Sequence, residues 1–161
     1  MKNFFTILIF LVISNVSLAE IIKDIKINGN ERISDETVKV YGDIQINQDV
    51  NNLKINEIIK NLYSTNFFKD IKVVVKDKTL IIDLIEYPVI NEVIVVGEKT
   101  KKYQDAIKEN IKSKKNGPFI KSFVSEDEIK IKRLYSTLGF NFVDVESKVE
   151  TFSKNRVNIY F

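Results

Sequence analysis

The chain has 161 residues, of which 44% are hydrophobic and 29% charged with both signs interspersed, and that apolar share excludes an intrinsically disordered protein. A formal net charge of +3, with acids scattered among the lysines, argues against nucleic-acid binding, which asks for a basic stripe. Cysteine and histidine are both absent, which excludes thiol and imidazole chemistry, disulfide stapling and most zinc and copper sites, so no cofactor is expected.

Lys2, the apolar run Phe4 to Ile13 broken only by Thr6, and the small residues of Ser17-Leu18-Ala19 read as a signal peptide over residues 1–19, cleaved before Glu20. The run is about half the roughly 20 residues that span a bilayer. Beyond it, Ile25 and Ile27 alternate with polar residues in a strand ending at Gly29. Ser34 is the N-cap of a helix reaching about Tyr41, with Asp35 and Glu36 in its first turn. After a polar stretch from Asn47 to Asn52, Ile55, Ile58, Ile59, Leu62 and Tyr63 form the apolar stripe of a second helix. Ile71, Val73 and Val75 then alternate as a second strand, Asp77-Lys78 turns, and Leu80, Ile82 and Leu84 line a third.

The pattern then repeats. Ile21 to Gly29 resembles Val89 to Gly97, and Leu62-Tyr63-Ser64-Thr65 recurs identically as Leu134-Tyr135-Ser136-Thr137. In the second copy, Val93 and Val95 belong to a strand and Tyr103, Ala106, Ile107 and Ile111 to a short helix. Ser125 and Glu128 form a capping box that starts the next helix. Val143, Val145, Ser147 and Val149 alternate with charged residues, and Val157, Ile159 and Phe161 begin the last strand. A chain ending inside that strand is expected to be part of a longer protein.

The fold class expected is α+β: two tandem β-α-α-β-β modules, over 20–88 and 89–161, each a three-stranded mixed sheet covered on one face by two helices. With the final strand central, the other two are edges whose free N–H and C=O groups can accept an extended peptide by β-augmentation. The candidate binding residues are Ile71, Lys72, Val73, Val74 and Val75 in the first module and Val143, Val145, Ser147 and Val149 in the second. Lys72 and Lys76 can equally blunt an edge. Glu86-Tyr87-Pro88 is the expected interdomain hinge, limiting motion without abolishing it. Phe67 and Phe68 are read as core, Gly29 and Gly97 as turn glycines, and Asp83 and Glu86 as a solvated strand face rather than a catalytic pair.

Certain strings carry a family resemblance. Ile22 to Ile33 behind a signal peptide resembles the start of a polypeptide-transport-associated (POTRA) domain of the outer-membrane protein assembly factor (BamA) family. Leu62 to Ile71, the exit Glu86-Tyr87-Pro88, Leu134 to Phe140 and Asn155-Arg156-Val157 resemble later parts of such domains. The resemblance implies a non-enzymatic region on the periplasmic face of the outer membrane, ahead of a C-terminal barrel not contained in these 161 residues. The partners it implies are unfolded outer-membrane β-barrel proteins, periplasmic chaperones and accessory lipoproteins. A two-partner secretion or translocation-assembly transporter uses the same module, and a periplasmic hydrolase is the contrasting class, disfavoured by the lack of His, Cys and a nucleophile elbow.

Overall fold

The structure, a computed structural model, describes residues 20–161; the signal peptide expected over 1–19 lies outside the described residues. In the first module β1 (Glu20–Ile21) leads to β2 (Asp24–Asn28), α1 (Asp35–Gly42), β3 (Asp49–Val50), α2 (Asn52–Ser64), β4 (Phe68–Lys76) and β5 (Thr79–Glu86). The sheet order is β2-β5-β4, with β2 parallel and β4 antiparallel to the central β5. α1 begins where Ser34 Oγ accepts the Thr37 N–H, and α2 where Asn51 Oδ1 accepts the Lys54 N–H. Asp77 and Lys78 both take positive φ in the two-residue turn between β4 and β5, the left-handed geometry that tight hairpins demand. The β1–β3 ladder, two residues on each side, is an addition that no sequence periodicity announces.

Burial follows the alternation. Ile71, Val73, Leu80, Ile82 and Leu84 of the sheet meet Val38 of α1 and Ile58 and Leu62 of α2 in one apolar cluster. Phe68, only 1% exposed, joins that cluster and Phe67 packs against it, so these aromatics close the core rather than grip a client. Gly29, at φ +82°, turns the chain after β2 beside the backbone of Leu84.

The second module repeats the order: β6 (Val89–Ile94), α3 (Lys101–Asn110), α4 (Lys121–Thr137), β7 (Lys148–Ser153) and β8 (Arg156–Tyr160), with sheet order β6-β8-β7. Its separate core gathers Ile90, Val93, Ile107, Ile111, Val124, Ile131, Val157 and Ile159. The expected capping box is not formed. α4 starts at Lys121, four residues before Ser125, and no side chain caps it. Val124, Asp127 and Ile131 form its buried face, so inward packing carries the helix a turn past the capping signal. Asp127 is fully buried because its carboxylate accepts the backbone N–H groups of Lys112 (2.6 Å) and Ser113 (2.8 Å) after α3.

A second correction concerns Val143, Val145 and Ser147. Residues 141–147 form no strand; β7 starts only at Lys148 and contains Val149 alone of the four residues expected there. Lys148 pairs with Tyr160, so Ser147 falls opposite Phe161, the last of the 161 residues, and the residues before it have no partner among the described residues to pair with.

Candidate functional site

The open edges are β4 and β7. Neither makes backbone–backbone hydrogen bonds, among the described residues, beyond those to its own central strand; on β4 the Ile71 N–H also donates to the Asp70 carboxylate at 3.1 Å. The opposite edge strands are partly covered. Ile90 N–H donates to Gly117 O and Asn116 N–H to Ile90 O, which lays the loop before α4 along the outside of β6. Ile22, just before β2, exchanges bonds with Gln48 and Asn47 in the same way.

Along β4, Ile71 and Val73 point into the core and Val75 is half-buried, whereas Lys72, Val74 and Lys76 face outward. In register, Lys72 lies opposite Asp83, Val74 opposite Ile81 and Lys76 opposite Thr79. A bulge between Phe68 and Asp70 bends the start of the strand. All six residues of β7 are exposed. There the Lys148 ammonium meets the Glu150 carboxylate at 2.7 Å, an ion pair that raises the lysine pKa and lowers that of the carboxyl.

Val143 and Val145 line a groove of about 450 Å³ with Val95, Tyr135 and Phe161. Tyr135 hydroxyl donates to Glu98; burial first and then this bond push the phenol up to about 12, while the same bond lowers Glu98. Asp83 and Glu86 do not converge. Asp83 is exposed and accepts the Asn28 side-chain amide at 2.8 Å, whereas the Glu86 side chain is 4% exposed and fully engaged elsewhere. Among the described residues no cluster of acidic groups could hold a metal ion, and no helix is long and apolar enough to cross a membrane.

The Glu86-Tyr87-Pro88 segment is tied to both modules. Glu86 Oε1 accepts the N–H groups of Arg32 and Ile33, each at 2.9 Å, and its Oε2 lies 2.8 Å from Arg32 Nε. Tyr87 N–H donates to Phe67 O, and Pro88 O accepts the Phe119 N–H. A contact the sequence does not signal joins the same loop to the β7–β8 turn: Glu31 accepts from Lys154 Nζ at 3.2 Å and from the Asn155 amide at 2.9 Å. An exposed pair of this kind is worth about 0.2–1 kcal/mol, enough to narrow an orientation but not to lock it. Glu31→Gln is therefore expected to widen the spread of intermodule orientations without unfolding either module. Residual dipolar couplings check it: an unchanged relative alignment in the variant rules the contact out as a restraint.

Comparison with known proteins agrees with this geometry. The POTRA family model, described as a surface antigen variable number repeat, matches residues 88–161. The outer membrane protein assembly factor BamA of Neisseria meningitidis serogroup B is 31% identical over 99% of this chain, which spans 20% of that protein's length. BamA of Neorickettsia risticii is 29% identical over 55% of the chain and 12% of its own length. In fold, the chain is similar to the N-terminal domain of Omp85 from Thermosynechococcus elongatus (TM-score 0.58, 16% identity, 87% of this chain and 61% of that one). It is likewise similar to POTRA1-2 of the periplasmic domain of Omp85 from Anabaena (TM-score 0.51, 12% identity, 88% and 94%). With two β-α-α-β-β units in tandem, the POTRA match over residues 88–161 and similarity to BamA along its length, the chain is a BamA-family POTRA fragment.

Proposed function

We propose that this chain is a periplasmic scaffolding and client-binding region of an outer-membrane β-barrel assembly machinery. In this reading, residues 20–88 and 89–161 are two POTRA domains exported by the signal peptide, and Glu86-Tyr87-Pro88 is the hinge between them. Their clients are unfolded outer-membrane proteins, received as added strands, with chaperones and accessory lipoproteins as further partners. Insertion belongs to a barrel outside these residues. The observation that carries the reading is the pair of unpaired outer edges, β4 and β7, on modules of a family whose relatives are named assembly factors.

Titration with a peptide from an unfolded barrel protein, followed by amide NMR, tests it. Shifts are expected at Ile71, Lys72, Val73, Val74 and Val75 and at the β7 residues from Lys148 to Ser153. A titration that leaves both edges unshifted sinks the strand-addition mechanism.

A further inference from the structure

We propose that the β4 edge selects its client strands by charge, accepting extended segments that read acidic–apolar–acidic at alternate positions. This rests on the strand-addition reading above and adds a substrate class to it.

The outward face of β4 presents Lys72, Val74 and Lys76 in a row, all exposed, with Val74 38% accessible. Among the described residues neither lysine makes an ion pair within 4 Å. Asp83, directly across from Lys72 on the central strand, accepts the Asn28 amide on Oδ1 and makes no ion pair with that lysine within 4 Å. Both ammonium groups are thus able to meet a carboxylate on the outer side. On β7 the charges Lys148 and Glu150 satisfy each other, so that edge has no comparable preference.

A strand added outside β4 extends each cross-strand row by one residue. Directly opposed side chains approach closely enough for opposite charges to attract and like charges to repel. An acidic residue facing Lys72, an apolar one facing Val74 and an acidic one facing Lys76 extend the three rows favourably. The Val74 row already continues inward to Ile81. Because Lys-Val-Lys reads the same in both directions, the rule holds for parallel and antiparallel entry.

The same pattern disfavours pairing of two copies edge to edge. A second copy pairing through its own β4 brings lysine against lysine, which is the blunting role of edge lysines. Self-pairing is opposed and acidic strands are admitted by one device.

Two capped peptides centred on Glu-Thr-Val-Thr-Glu and Lys-Thr-Val-Thr-Lys, titrated into the full chain at low salt, test it by amide shifts along β4. The acidic peptide is expected to bind about tenfold more tightly, as two reversed cross-strand pairs allow. That advantage shrinks as salt shortens the Debye length. In the exposed double variant Lys72→Glu, Lys76→Glu the preference should reverse. Equal binding of both peptides at β4 overturns the charge rule while leaving strand addition intact. Absence of β4 shifts with either peptide overturns strand addition at this edge and the rule with it.

Discussion

Gly29→Ala is expected to cost the first module about 3–5 kcal/mol. Read along the chain, Gly29 is an ordinary turn glycine in left-handed backbone, at φ +82°, where a Cβ carries a conformational cost of its own. In space it also faces backbone: a Cβ there falls 2.0 Å from the carbonyl oxygen and 3.1 Å from the carbonyl carbon of Leu84. Leu84 is buried in the central strand and pairs with Ile71 of β4, so its backbone cannot retreat without breaking the ladder. A module of about 70 residues has on the order of 3–5 kcal/mol to lose, so Gly29→Ala should unfold it at room temperature. Amide NMR of the variant checks this: its first-module signals should collapse to unfolded positions. A variant that keeps the melting point of the unsubstituted protein would contradict the account.

That contrast also marks how much could be read in the chain. The Ile55 to Tyr63 stripe, the Ile71 to Val75 alternation and the Ser34 cap are local signals, and each produced its element because the core used the same residues. Gly29 reads locally as a turn glycine; the parallel pairing of β2 with β5 is what places the Leu84 backbone against it. Ser125 and Glu128 satisfy the local rule for a helix start, yet burial of Val124 and Asp127 extends α4 beyond it. Asp127 itself, read locally, is one more acid on a charged helix, and its role depends on backbone groups fourteen and fifteen residues away. At the edges, the identity of β4 was legible because its hairpin with β5 encodes it.

Glu86→Ala carries the other large expected effect, about 2–3 kcal/mol, because the substitution removes one buried carboxylate that several partners share. The carboxylate is 4% exposed and serves three groups at once: two backbone N–H groups at 2.9 Å and the Arg32 guanidinium at 2.8 Å. Removing it leaves the part-buried Ile33 amide and the exposed Arg32 amide without their acceptor, and hydrogen bonds to a charged group are worth about 1.5–3 kcal/mol, less where water can replace them. Arg32→Ala is milder, about 1–2 kcal/mol, since the arginine side chain is 38% exposed and the carboxylate keeps both backbone donors. Glu86→Gln separates the two contributions: its amide oxygen can retain the backbone bonds, but its NH2 then confronts Arg32 Nε donor to donor. The three variants should therefore rank Arg32→Ala, Glu86→Gln, Glu86→Ala in increasing loss of stability, read as denaturation midpoints. Hydrogen exchange at Arg32 and Ile33 gives the local readout, with protection lost in Glu86→Ala and largely kept in Arg32→Ala. Because Glu31 stands on the same loop, Glu86→Ala should also release the contact with Lys154 and Asn155, broadening the intermodule orientations more than Glu31→Gln alone. If Glu86→Ala leaves those amides protected and the midpoint unchanged, the carboxylate is not what fastens the loop to the connection between the modules.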